Sequence, residues 1–262
     1  MVTIATWNVN SIKARFQTVH DWLARAAPDI ALLQEVKCEA AAFPAEPLED
    51  LGYNVVVAGQ KAYNGVAILS KRPLAVVTDV LPGDPEDSHA RYLEADIGTL
   101  RVACLYLPNG NPPGNGQWSD KFRYKLTWMD RLRQRAADLL AEDHTVIWGG
   151  DFNVIPEPED CHDPAVWEGD ALYRPETRRA FRSLLNLGLT EAYRALHHDR
   201  GAYTFWDYQG GAWQMDRGIR IDHFLLSPQA ADRLVECRID RAPRGEPKAS
   251  DHTPVLVTIE GD

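Results

Sequence analysis

The sequence predicts an α/β protein in which two mixed sheets face each other and helices cover their outer sides. Three observations lead there. Apolar runs of strand length recur along the whole chain. Segments with helical apolar spacing are too few for simple strand–helix alternation. No Gly-, Pro- or Ser-rich stretch is long enough to divide the 262 residues, so 1–262 are expected to form a single domain.

Strand-like runs with period-two alternation or β-branched stretches fall at 2–9, 30–36, 53–59, 65–70 and 74–81. More follow at 91–98, 100–108, 145–150, 220–227, 234–239 and 253–260. A helix is predicted over 12–26, with Ser11 as its cap and Phe16, Val19, Leu23 and Ala27 at helical spacing. A second covers 119–141, striped by Phe122, Leu126, Met129, Leu132 and Ala136, and a third runs from Thr177 to Leu187, ending at Gly188. The Pro- and Gly-rich stretches 108–116 and 156–164 read as surface loops.

Composition narrows the class. Apolar residues make up 45% and charged residues 25%, as in a globular protein. The net charge of −10 and pI near 5.3 weigh mildly against a phosphate binder, although a local basic rim can coexist with an acidic bulk. No 18-residue apolar stretch exists, so no membrane partner is expected, and MVTIATWNVNS lacks the basic start of a secretory leader. Cys38, Cys104, Cys161 and Cys237 form no CxxC. They are expected to be free thiols in a reducing, cytoplasmic setting. There is no HExxH, GxSxG, P-loop or dinucleotide fingerprint, and the adjacent His197 and His198 read as solvated surface.

Chemistry gathers where apolar runs meet polar residues. TWNVN carries Asn8 and Asn10, LLQEV carries Glu35, and WGGDFNV carries Asp151 and Asn153. IRIDHFLLS carries Asp222, and SDHTPV carries Asp251 and His252. Buried unpaired carboxylates cost several kcal/mol, so each needs a partner. Convergence on one cation and one anionic substrate satisfies all five segments. Glu35 suits a hard divalent ion, Asp151 a water, the amides and His252 phosphoryl oxygens. Neighbouring strand side chains alternate, so Asp222 rather than Asp251 is expected to orient His252. Taken singly, each residue could instead be a structural ion pair, turn residue or core histidine.

These stretches, together with YNGVAILS, LYLPNGN and GIRIDHFLLS, resemble the exodeoxyribonuclease III family of DNA repair nucleases, within the endonuclease/exonuclease/phosphatase superfamily. The likeness runs from residue 2 to about 260 in the family's order. It implies a four-layered α/β sandwich and an enzyme acting as apurinic/apyrimidinic endonuclease, 3′-to-5′ exonuclease and 3′-phosphodiesterase or phosphatase. It implies Mg²⁺, with Mn²⁺ as the alternative, on Glu35, beside Asn8, Asp251, Asp151 and Asn153. Tyr106 would contact phosphate with Asn109 nearby, Asp151 would activate or position water, Asn153 would bind the scissile phosphate, and Asp222 would pair with His252. The expected partner is duplex DNA carrying an abasic site, a nick or a recessed 3′ end, met by a monomer.

The segment YTFWDYQGGAWQMDRG offers Trp206, Tyr208 and Trp213 to an exposed sugar or base, with Arg217 and Arg220 for phosphates. Lys61, Arg91, Lys121, Arg123 and Lys125 are candidates for a basic rim. Two competing classes are a phosphatase of the same superfamily acting on a small phosphomonoester or phospholipid head group, and a non-catalytic nucleic-acid-binding module. Neither needs both the acid–amide–histidine set and an aromatic DNA-probing loop.

Overall fold

The computed structural model describes residues 1–261 and contains twelve strands in two six-stranded sheets. Strands β1 (Val2–Asn8), β2 (Ile30–Gln34), β3 (Asn54–Ala58) and β4 (Val66–Ser70) enter the first sheet, and β5 (Ala75–Thr78), β6 (Tyr92–Ile97), β7 (Leu100–Tyr106) and β8 (Thr145–Asp151) enter the second. Then β9 (Thr190–Glu191) and β10 (Asp222–Leu226) complete the second sheet, while β11 (Leu234–Ile239) and β12 (Val255–Ile259) return to the first. The orders are β11-β12-β1-β2-β4-β3 and β5-β6-β7-β8-β10-β9.

Each sheet has one parallel pair, β1/β2 and β7/β8, and its other pairings are antiparallel. A parallel neighbour requires a crossover, and a helix supplies it in both sheets: Phe16–Ala26 between β1 and β2, Asp120–Ala141 between β7 and β8. Ile4, Leu32, Ile68 and Val257 meet Val102, Cys104, Ile147 and Phe224 in the core between the sheets. Alternation sends Ala5, Trp7 and Leu33 to the other face, under Trp22 and Leu23 of the first helix. Trp148 likewise faces Trp128, Leu132, Phe181 and Leu184 of the outer helices. The result is the expected sandwich, helix–sheet–sheet–helix.

Some boundaries differ from the sequence reading. The first helix starts at Phe16 after Arg15, with no side-chain cap. Ser11 is not its cap. It lies in a turn at φ 88° and donates its N–H to the Glu35 carbonyl at 2.7 Å. Ser119 does cap the long helix, accepting from the Phe122 N–H. The third spans Pro175–Leu185, two residues earlier than read, because proline is favoured at the first helical position. The two-residue β9 is too short to leave a periodicity.

Gly149 and Gly150 lie inside β8 rather than ending it. A Cβ on Gly149 would lie 2.5 Å from Phe224, and one on Gly150 would lie 2.0 Å from the Leu105 carbonyl oxygen. The glycines therefore let the strand pack between its neighbours and run on to Asp151. The four cysteines are buried free thiols. Among the described residues no helix is long and apolar enough to cross a membrane.

Candidate active site

Both parallel pairs end at the same rim of the sandwich. Asn8 closes β1, Glu35 follows β2, and Tyr106 and Asp151 face each other at the ends of β7 and β8. The antiparallel β10 begins there, with Asp222 opposite Asp151, and His252 lies just before β12. The chain leaves this rim through left-handed turns, at Asn10, Ser11, Glu35, Lys37 and Asn153, with φ between 45 and 88°. Such backbone costs free energy in non-glycine residues and clusters at functional sites.

Asn8 is fully buried and gives its amide hydrogens to Glu35 Oε1 at 2.8 Å and Asp151 Oδ2 at 2.9 Å. Its oxygen accepts the Asn10 N–H at 3.0 Å. Asn8 therefore bridges two carboxylates, rather than turning its oxygen toward a cation. Asp151 also accepts the Asn153 N–H at 2.9 Å and lies 3.6 Å from His252 Nε2. The other histidine nitrogen, Nδ1, meets Asp222 Oδ2 at 2.8 Å. Phe205 packs edge-on against the imidazole, ring centres 5.0 Å apart.

Burial pushes the Asp151 acid up to about 7, helped by Asp222 and Glu35 and opposed by His252 and Asn8. Burial acts in the other direction on His252, but Asp222 and Asp151 overcome it and hold the imidazolium well above its ordinary value. Burial, with Glu35 and Asp151 close by, keeps the Tyr106 phenol protonated far above neutral pH, so its O–H is available to donate. Arg91 lies over the Tyr106 ring at 4.6 Å and donates to its carbonyl at 3.2 Å.

Asn153 donates to the Leu107 carbonyl at 2.9 Å and accepts from Asn109 Nδ2 at 3.1 Å. A cleft of about 360 Å³ opens over this set, lined by Glu35, Tyr106, Asn109, Asp151, Asn153 and His252, with Asp251 at its margin. Asp251 and Glu35 are linked through Asn10 and Lys37: Asn10 donates to Asp251 at 3.0 Å, and Lys37 reaches Asn10 at 2.5 Å and Glu35 at 2.8 Å.

The donor set fits a hard divalent cation. Carboxylates exceed the positive groups, Asp222 Oδ1 is buried without a partner, and the Lys37 ammonium already marks a cation-attracting position at Glu35. Asp151, Asp222 and His252 also lie within ligand reach of one another, all atoms inside 4.8 Å. That trio, however, is closed by its own hydrogen bond, since His252 Nδ1 is turned to Asp222. Glu35 is engaged as well, with Oε1 accepting from Asn8 and Oε2 paired with Lys37.

The sequence profile of the Endonuclease/Exonuclease/phosphatase family matches residues 5–252. The chain belongs to that family. Among relatives, it is 31% identical to exodeoxyribonuclease III of Haemophilus influenzae over 95% of this chain and 97% of that one. An AP endonuclease from Archaeoglobus fulgidus superposes with TM-score 0.93 at 37% identity, covering 100% of both chains. The 3′ phosphatase NExo from Neisseria, solved with a product DNA hairpin, superposes with TM-score 0.95 at 37% identity, again over 100% of both. These bear out the resemblance read from the motifs and the sandwich it implied.

Against this family background, several substrate-side expectations are corrected. Trp206 is 0% exposed, its indole N–H held by Asp216 at 3.0 Å, so it supports the loop and does not meet DNA. Arg220 is 1% exposed and clamped between Asp160 and Glu191, both at 2.8 Å, so it cannot reach a phosphate. Trp213 is half-buried edge-on against Trp206 at 4.8 Å, with Arg241 and Arg244 over its ring. The exposed residues of that loop include Tyr208, Gln214, Met215 and Arg217. Lys125 is buried and leaves the basic rim, whereas Lys61, Lys121 and Arg123 are exposed. Sequence reasoning missed Lys37 and the Asn10 link, although LLQEVK places a lysine two residues after Glu35.

Proposed function

We propose that the protein is a Mg²⁺-dependent DNA repair nuclease that hydrolyses phosphodiesters of duplex DNA at abasic sites and 3′ ends. The observation that carries this is one connected chain of side chains, Glu35–Asn8–Asp151–His252–Asp222, lining a cleft at the strand ends. The related exodeoxyribonuclease III, AP endonuclease and 3′ phosphatase support it.

Glu35 would hold the ion, with Asp251 near it. An ion held there, Mg²⁺ or Mn²⁺, would compensate charge on the phosphoryl and leaving oxygens. Asp151 sits between Asn8 and His252, where it accepts a proton from, or orients, the attacking water. His252, held by Asp222, and Tyr106 donate to non-bridging oxygens as charge develops. Asn153 presents its amide from the left-handed turn beside Asp151 and binds the same phosphate. Arg91, Lys121, Arg217 and Asn109 would contact the substrate, giving an acidic protein a local surface for DNA.

The experiment is a duplex oligonucleotide with one abasic site, and a nicked duplex ending in a 3′-phosphate, each with Mg²⁺ and with EDTA. Incision 5′ of the lesion and release of phosphate, both abolished by EDTA, is the expected result. Hydrolysis of a small phosphomonoester with no action on either duplex would replace this reading with that of a superfamily phosphatase.

A further inference from the structure

Lys125 stands on the long helix Asp120–Ala141, yet it is 0% exposed. A buried lysine normally has a carboxylate partner. Both acceptors of this one are backbone carbonyls: Asn153 at 2.6 Å and Asn109 at 3.1 Å. The two residues belong to different turns, after β8 and after β7, and their side chains are joined by the 3.1 Å bond from Asn109 to Asn153. Gly110 closes over the lysine stem, where a Cβ would lie 2.7 Å from Lys125 Cδ. Burial lowers the affinity of Lys125 for its proton, and Asp151 and Asp170 resist that.

We propose that Lys125 is a positioning residue for phosphate binding, an N–H clasp that ties the Asn109 and Asn153 turns together and thereby aims the Asn153 amide into the cleft. A backbone turn at φ 48° in a non-glycine residue needs outside support to persist. Lys125 supplies that support at the carbonyl of the same residue. An apolar side chain there would leave the buried Asn153 carbonyl without its donor and release the part-buried Asn109 carbonyl. The clasp acts through Asn153 and never touches substrate, so its effect falls on chemistry and not on the affinity for duplex, which many surface contacts share. This inference rests on the proposed role of Asn153 in phosphate binding.

A double-mutant cycle tests it. Lys125→Met, Asn153→Ala and the double variant are compared in single-turnover cleavage of abasic duplex, with duplex Kd measured alongside. Lys125→Met is expected to slow cleavage at least tenfold with Kd within about threefold. In the Asn153→Ala background it should cost less than about twofold, because the residue it serves is gone. Losses that multiply, or a Lys125→Met rate within twofold of wild type, overturn the proposal. If the methionine variant does not fold, Lys125→Gln is put through the same cycle with the same criteria. The Asn153 side-chain amide resonances, followed without DNA, should lose their exchange protection in the lysine variant, and unchanged resonances overturn the clasp. Should wild type cleave no DNA, the proposed function falls while the resonances still decide the clasp.

Discussion

Asp222 Oδ2 lies 2.8 Å from His252 Nδ1, and both side chains are buried, which fixes the imidazole so that Nε2 points at Asp151 3.6 Å away. Asp222→Asn keeps the shape and removes the charge that holds the imidazolium. The variant is expected to lose about 10²-fold or more in kcat, with DNA Kd little changed. Single-turnover rates and anisotropy titrations check this. A loss confined to KM would assign Asp222 to binding.

Asp151 carries an acid pushed up to about 7 by burial, with Asp222 and Glu35 adding to it. Two outcomes follow from the sign. The rate at low Mg²⁺ should climb with pH toward 7 and level above it, and more Mg²⁺ should move that rise to lower pH. An acid whose folded value exceeds its unfolded value makes the fold less stable as pH rises from about 4 to about 7. Asp151→Asn should therefore melt higher than wild type at pH 8 without metal, and equally near pH 3.5. It should also cut the single-turnover rate by orders of magnitude while DNA affinity stays level or tightens. Equal melting at both pH values would remove the buried-charge argument.

Glu35→Gln tests the ion site. The substitution preserves the Asn8 contact but removes the charge that would attract a cation, and it breaks the 2.8 Å pair with Lys37. The cleavage midpoint in Mg²⁺ should rise at least tenfold, while duplex binding measured without metal stays near wild type. An unchanged midpoint would move the ion elsewhere.

The sheets were legible because strand alternation survives in the residues themselves: Ile4 and Leu32 face inward, Trp7 and Leu33 outward. The acids at the strand ends were visible for the same reason, since a carboxylate at the end of an apolar run has few structural uses. What sequence does not carry is the direction of a side chain in a loop. Trp206 and Arg220 have the residue types of a DNA contact, yet one is packed beneath Trp213 and the other is clamped between Asp160 and Glu191. Lys125 was hidden likewise, because its helical position reads as surface until the turns close over it.

Trp213→Ala should destabilise the loop by roughly 1–3 kcal/mol, less than the ~3–5 of a fully buried aromatic, because the indole is only half-buried. Its effect on abasic incision and on 3′-phosphate removal should be equal. Met215, 52% exposed on the same loop, is the apolar side chain free to enter a gap in the base stack. Met215→Ala should lower kcat/KM on the abasic duplex several-fold more than on the 3′-phosphate. Reversal of the two patterns would return the probing role to Trp213.

Arg220 predicts a stability effect with no DNA-binding effect. Its guanidinium meets Asp160 and Glu191 at 2.8 Å each, and the second Asp160 partner is Arg194 at 2.6 Å. Burial pushes the Glu191 acid up, but Arg220 and His223 outweigh that and bring it to about 2, against an ordinary 4.5. The depressed value means the pair stabilises the fold fully above pH 4.5, and that contribution is lost as pH falls toward 2. Arg220→Met leaves the buried Glu191 without its guanidinium partner and Asp160 with Arg194 alone, and should cost about 3–5 kcal/mol at neutral pH. The penalty should shrink on acidification, as these acids take up protons. Urea melts at pH 7.5 and 4 give the two values, and duplex Kd at fixed salt gives the third. A drop in DNA affinity with unaltered melting would restore Arg220 to the phosphate contacts that its position in GIRIDHF suggested.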